Sequence, residues 1–333
     1  ERVAWLRHLR ATDAAAGRTL VAQTRKEKAP DRARFVAALE VGLGPEDEEL
    51  LEGFLRDRSK EVGRTAAELL ARLEGSAYLA RAVELARTCF SWAKEPPTGL
   101  LAKLRASKRF IAAVAPPEKE VVADFHTDVA SIRVAEGPVG RVQRLVAVIP
   151  PTCWAELGFS VRELANGVLL DEEPVPLASA LTSSVLRWRD VAAARELLDE
   201  HPVPALALLL PSATRDAFLV DAIRSTALTQ FPDMCRRLQQ QDGLRLGPGA
   251  TRAVVDGIRA CVNAKTGGHQ AATQLLAFST DPQEIPELLE RLTALKEDPD
   301  LSHPGQSAVR DAVAALTLRY SIHESIAHTK EPR

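Results

Sequence analysis

Seven histidines, four cysteines and several clusters of basic side chains are the groups in this chain best equipped for chemistry, and their spacing decides what they can do. A zinc site is built from close cysteine or histidine pairs whose lone pairs converge on one ion. Cys89, Cys153, Cys235 and Cys261 are far apart in sequence and form no such pair. His8, His126, His201, His269 and His303 are solitary, and His323 and His328 stand five apart, the wrong step for one helical face. There is no HExxH, so no metal ligand is assigned and no cofactor is expected. No GxSxG presents a serine nucleophile, and no catalytic residue is assigned. Each cysteine lies among apolar neighbours and reads as a small buried hydrophobe. Gly247-Pro248-Gly249, followed by Ala250-Thr251-Arg252, opens a helix whose free amides suit an anion. It lacks the GxxxxGK[ST] spacing and no strand precedes it, so it reads as an interhelical turn.

Charged residues offer two further possibilities. Glu46, Asp47, Glu48 and Glu49 form an acidic run, with Arg56, Arg58 and Lys60 shortly after it. The run either docks a protein partner or complements the positive end of a helix dipole. Three basic groups, Arg25-Lys26-Lys28, then Lys103, Arg105, Lys108 and Arg109, then Arg236-Arg237 with Arg245 and Arg252, would grip phosphates if the fold gathered them on one face. The overall balance of 43 basic and 45 acidic residues, a net charge of −2, gives no global pull toward nucleic acid.

The elements that would position these groups are helices. In Gly44–Leu73, Pro45 suits a first helical position and the acidic residues a first turn. Leu50, Leu51, Phe54 and Leu55 then share one face. Asp57 and Ser59 are both good N-caps for a second helix, whose stripe is Val62, Ala66, Leu69, Leu70 and Leu73. Gly75 ends it. The short connection makes the two helices antiparallel neighbours, and such a hairpin needs others stacked beside it to bury both stripes. Earlier helices are expected around Val3, Leu6 and Leu9, around Leu20, and from an Asp31 cap through Phe35, Val36 and Leu39. One from Ser76 runs past Phe90, and another carries Leu100, Leu101, Leu104, Ile111 and Val114. Ser160 and Glu163 form a capping box for a helix ended by Asn166-Gly167. Helices follow near 177–188, 190–200, 203–210, 213–229, 232–241, 250–263, 284–296 and 305–327. The Pro- and Gly-rich stretch 116–140 reads as a linker in which Val121-Val122 and Ile132-Arg133-Val134 have strand-like composition.

Aromatics are 5% of the 333 residues and hydrophobic residues 46%, which suits helices packed through small side chains. Trp5, Trp92, Trp154 and Trp188 read as packing anchors with their indole N–H groups satisfied. No run approaches the 18 or so apolar residues of a membrane span; none is longer than Ala205 to Leu210. Unpaired cysteines suit a reduced, cytoplasmic setting. The chain starts inside an apparent helix without a Met and reads as a piece of something longer.

The order acidic helix, Asp-Arg-Ser-Lys-Glu-Val, then an Ala- and Leu-rich helix resembles a HEAT repeat, with Gly63 and Arg64 where such units place Arg directly after the Val. The wider segment RFVAALEVGLGPEDEELLEGFLRDRSKEVGRTAAELLARLEGSAY, with IPPTCWAELGFSVREL and ALLLPSATRDAF, is similar to an uncharacterised bacterial family of HEAT-like proteins. That resemblance implies an all-helical scaffold, often encoded beside SWIM zinc-finger proteins and MoxR-type ATPases, and no known activity. The expected fold is therefore all-α, a HEAT-like α-solenoid of irregular antiparallel helix pairs. Its blocks are expected at 1–115 and 141–330, with 116–140 as linker. The expected function is a non-catalytic protein-binding scaffold, with an AAA-type ATPase or zinc-finger protein as partner. The competing expectation is a nucleic-acid-binding helical repeat like the alkylpurine DNA glycosylases, which set a catalytic Asp among aromatics in a basic groove; Asp190 with Trp92, Trp154 and Trp188 are its candidates here.

Overall fold

In the computed structural model, residues 1–93, 111–117, 137–201, 203–241, 243–264, 266 and 269–329 are described. They are mostly helical, with one small four-stranded sheet. The chain divides into two compact units, Glu1–His201 and Pro202–Arg333.

The first unit begins with α1 (Arg2–Thr12), α2 (Ala14–Gln23) and α3 (Ala29–Ala37). Asp13 caps α2 by accepting from the Ala16 amide. Pro30 falls in the first turn of α3, so Asp31 sits inside the helix and is not its cap, as the sequence suggested. A single 3₁₀ turn at Pro45–Asp47 leads into α4 (Glu48–Leu55), and a four-residue connection into α5 (Lys60–Leu70). The expected inner faces are present: Leu51, Phe54 and Leu55 on α4, and Val62, Ala66, Leu69 and Leu70 on α5, are buried, while Leu50 is half-buried. Gly75, at φ +75°, makes the left-handed turn that stops the hairpin. Ser76 then caps α6 (Ala77–Cys89) through the Leu79 amide.

After α6 the structure departs from the all-helical expectation. Phe90, expected within the helix, starts strand β1 (Phe90–Trp92), and Ile111, expected on a helix, starts β2 (Ile111–Ala113). Three helices follow: α7 (Pro138–Val148), α8 (Pro151–Glu156) and α9 (Val161–Gly167). The last of these carries the expected Ser160–Glu163 capping box. Strand β3 (Val168–Leu170) pairs parallel with β2 and antiparallel with β4 (Glu173–Pro174). Its turn residues Asp171 and Glu172 both have positive φ, the geometry a two-residue hairpin needs to match strand twist. The unit closes with α10 (Ala178–Trp188) and α11 (Val191–Glu200). β1 pairs with β2, β2 pairs with β3, and α6 packs on α7; most of the stretch expected as a linker, 118–136, lies outside the described residues. The strand-like residues at 121–122 and 132–134 lie outside the described residues.

The second unit runs α12 (Pro204–Ala207), α13 (Ser212–Ser225), α14 (Phe231–Gln239), α15 (Pro248–Asn263), α16 (His269–Ser279), α17 (Ile285–Lys296) and α18 (His303–Thr329). Most of its helices lie within a few residues of the expected ones, but α12 ends three residues before 210 and α13 four before 229. A single apolar cluster holds them, with Phe231, Val254, Ile258, Leu275, Leu276, Leu292 and Leu316 among its members. Gly257 lets α15 pass close to Phe231: a Cβ there would stand 2.5 Å from two ring carbons.

Candidate functional site

The charged residues singled out in the sequence have diverse fates. Asp47 is fully buried and does not belong to an acidic surface. Its carboxylate accepts from Arg10 at 2.7 and 3.1 Å, from Arg18 at 3.0 Å and from the Gly44 amide at 3.1 Å. Arg10 donates further to the carbonyls of Ala14, Leu39, Val41 and Gly42, so this cluster ties α1 to the chain leading into α4. A buried guanidinium requires such saturation, because unpaired charge costs far more in a dry interior than in water. Glu48 is half-buried and accepts from the Ala77 amide at 2.6 Å, complementing the start of α6. Glu46, Glu49, Arg56, Arg58 and Lys60 are exposed. Asp57, one of the two expected caps, instead grips the buried Arg32 in a two-pronged pair at 2.6 and 3.1 Å and accepts from the Ser59 amide. Burial pushes the Asp57 carboxyl up, but these hydrogen bonds and the charges of Arg32 and Arg58 outweigh it and hold it below its ordinary value.

Arg25 lies over the Phe54 ring in the first unit, and Arg236 pairs with Asp233 on its own helix in the second, with Arg237 exposed beside it. Lys103, Arg105, Lys108 and Arg109 lie outside the described residues. Asp190 is spent as the N-cap of α11, accepting from the Ala193 amide. Trp154 is buried edge-on against Phe90, and Trp92 packs on Phe159. The indole N–H groups of Trp154 and Trp188 have no acceptor, contrary to the sequence expectation, and Trp5 is largely exposed. The Gly247–Gly249 turn does bind an anion, an internal one: the Gly249 and Ala250 amides donate to the Asp216 carboxylate of α13 at 2.9 and 2.8 Å. No metal-competent cluster of His, Cys, Asp or Glu occurs among the described residues, and none of their helices is long and apolar enough to cross a membrane.

The feature the sequence did not reveal is a groove of about 1080 Å³ in the second unit. Its walls are α16 and α18, which pack along each other. From α16 come His269, Thr273, Gln274, Ala277 and Phe278; from α18 come Ser307, Ala308, Asp311, Ala312 and Ala315. Asp300 and Ser302 close one end. Small side chains on both walls leave the space open, and Thr273 and Ala312 form a buried floor. Burial lowers the His269 pKa, and its Nδ1 has no partner. At the other end Arg319 of α18 donates to the Ala277 carbonyl and, at 2.9 Å, to that of Thr280, fixing α18 against the end of α16. A smaller cavity of about 400 Å³ in the first unit lies against Phe159, Ser160, Asp190 and Glu196.

Among the described residues the protein is thus mostly helical, with the larger cavity between α16 and α18 of its second unit. Over residues 1–326 the chain matches a family of unknown function, DUF5691, and it belongs to that family. No curated protein and no solved structure matches it.

Proposed function

We propose that the protein is a non-catalytic scaffold that binds another protein, and that the α16–α18 groove is its docking surface. The observation that carries this reading is the groove itself, open, walled by two packed helices and rimmed by the exposed Phe278. Helices that pack on their neighbour in sequence, as α4 does on α5 and α17 on α18, suit a HEAT-like repeat, and stacked hairpins of that kind present long surfaces to partners. The sequence resemblance supplies a bacterial setting and an AAA-type ATPase or zinc-finger protein as partner, by association alone, and the unpaired cysteines suit a cytoplasmic setting. The exposed Glu46, Glu49, Arg56, Arg58 and Lys60 form a second, polar surface on the same scaffold.

The test places a photo-crosslinking amino acid at Gln274, on the groove wall, and at Glu196, beside the smaller cavity. The expected result is a discrete cross-linked protein from position 274, lost when Ala308→Trp fills the groove in a chain that still folds. Cross-links from 196 alone would overturn the assignment. Tight binding to DNA or RNA duplexes that weakens steeply with salt would move the protein to the nucleic-acid class.

A further inference from the structure

The groove does not stop at its own walls. Ala308, Asp311 and Ala315 of α18 line it, and the next residues in that line, at steps of three or four, are Leu318, Ile322 and Ile326. Such steps keep all six on one helical face. Leu318 is 63% exposed, Ile322 51% and Ile326 52%, and Phe278 on the neighbouring wall is 59% exposed. A helix that leaves large aliphatic side chains on one line exposes a surface that water penalises. From Pro304 to Ile326 the line runs about 33 Å at the helical rise.

Charge distinguishes one part of the surface from another. Asp300 and Asp311 are both exposed and line the groove. Neither carboxylate has a cation within ion-pairing distance among the described residues, and no Lys or Arg stands among the described lining residues. Along α18, Arg310 is exposed next to Asp311 but about 100° round the helix from it, off the groove face, and the Arg319 guanidinium is engaged with two carbonyls. The groove is therefore an acidic, small-residue slot continuing into an apolar ridge.

Area argues against a second copy as the occupant. Each of the four exposed side chains offers on the order of 100 Å². Two ridges face to face would hide about 800 Å² in all, below the roughly 1,200 Å² at which specific interfaces begin. A single helix laid along the slot would cover the ridge and both groove walls together.

Building on the docking reading, we propose that the α16–α18 groove and the Leu318–Ile322–Ile326 ridge together receive one amphipathic helix of a partner protein, with its apolar face on the ridge and a Lys or Arg reaching Asp300 and Asp311. This is helix-in-groove recognition, in which side chains spaced three and four apart anchor the ligand and a flanking charge sets its direction. Electrostatic complementarity then selects among apolar helices that would otherwise bind alike.

The test uses the full chain and three synthetic peptides of about 20 residues, a length that spans the site. All share one Leu and Ala apolar face and differ only in flanking residues, which are Lys, Gln or Glu. Binding is followed by fluorescence anisotropy. The expected order is Lys, then Gln, then Glu, with at least tenfold between the first and the last. The D300N/D311N double variant should bind the Lys peptide about tenfold more weakly, with its affinity for the Gln peptide and its Tm unchanged. Both aspartates are exposed, so folding is not at stake. Equal binding of the three peptides, with all binding lost in A308W, would overturn the charge selection and leave the groove as a docking surface. Absence of binding by every peptide would overturn the inference, while the cross-link from position 274 would still judge the scaffold reading separately. A concentration-dependent dimer that L318E dissolves would also overturn it, by making a second copy the occupant.

Discussion

Replacing Asp47 with Asn removes one negative charge from a site that neither water nor a mobile counter-ion can reach. The Arg10 and Asp47 side chains are 0% and 1% exposed. Arg10 cannot lose its proton, so the substitution leaves a buried cation. Breaking a buried ion pair from one side costs about 3–5 kcal/mol. Here the low end applies, because the carbonyls of Ala14 at 2.7 Å, Gly42 at 2.8 Å and Val41 at 2.9 Å still receive the guanidinium hydrogens. We expect a loss of about 3 kcal/mol, or about 6–12 °C in the melting of the first unit, for a unit of its size. Two controls make the cause legible. Glu46→Gln, one residue away and exposed, should cost a few tenths of a kcal/mol. The double replacement Arg10→Met with Asp47→Leu should recover much of the loss, since an apolar pair of similar volume leaves no charge behind. Urea unfolding followed by circular dichroism, with calorimetry to separate the units, measures each quantity. A cost for Asp47→Asn within about 0.5 kcal/mol of that for Glu46→Gln would refute the argument.

Three further outcomes follow from the same structure. Gly257→Ala should destabilise the second unit by about 1–2 kcal/mol, because pressing a methyl into the Phe231 ring costs more than the roughly 1 kcal/mol that Ala gains over Gly in a helix; in a Phe231→Leu background, denaturant titration should find the penalty gone. The folded Asp57 carboxyl lies below its ordinary value, so its stabilisation is present above the unfolded-state pKa and disappears as pH falls through the folded one; Asp57→Asn should flatten the acid limb of the first unit's stability curve, and an unchanged limb would contradict the assignment. Burial, with the nearby Cys261, pushes the Cys235 thiol up to about 12, so in the native chain at pH 8 iodoacetamide should leave Cys235 unlabelled until denaturant is added, as peptide mass spectrometry would show.

Periodicity made the helices visible in the sequence, and the failures have specific causes. The α4–α5 hairpin and most helices of the second unit carry apolar side chains at helical steps between caps and glycines, so local signals suffice. The sheet escaped because its strands are at most three residues long, too short for an alternation to register. The β3–β4 turn is Asp-Glu, not the Asn-Gly that announces such hairpins. Asp47 looked like one member of a solvated acidic run, because the residue that buries it, Arg10, is 37 positions away. The same blindness hid the groove. Pro304 to Ile326 reads as an ordinary amphipathic helix whose apolar face belongs in a core, and only the packing of α16 shows that part of that face has no cover.

The parallel pairing of β2 with β3 has a consequence during synthesis. Residue 113 emerges from the ribosome 55 residues before residue 168 does. At about 5–20 residues per second, β2 waits roughly 3–11 s for the strand that completes its hydrogen bonding. Throughout that interval a nascent chain carries Phe90, Ile111 and their neighbours without their final cover, an invitation to holdase chaperones that the second unit, whose helices find their partners close by in sequence, does not extend.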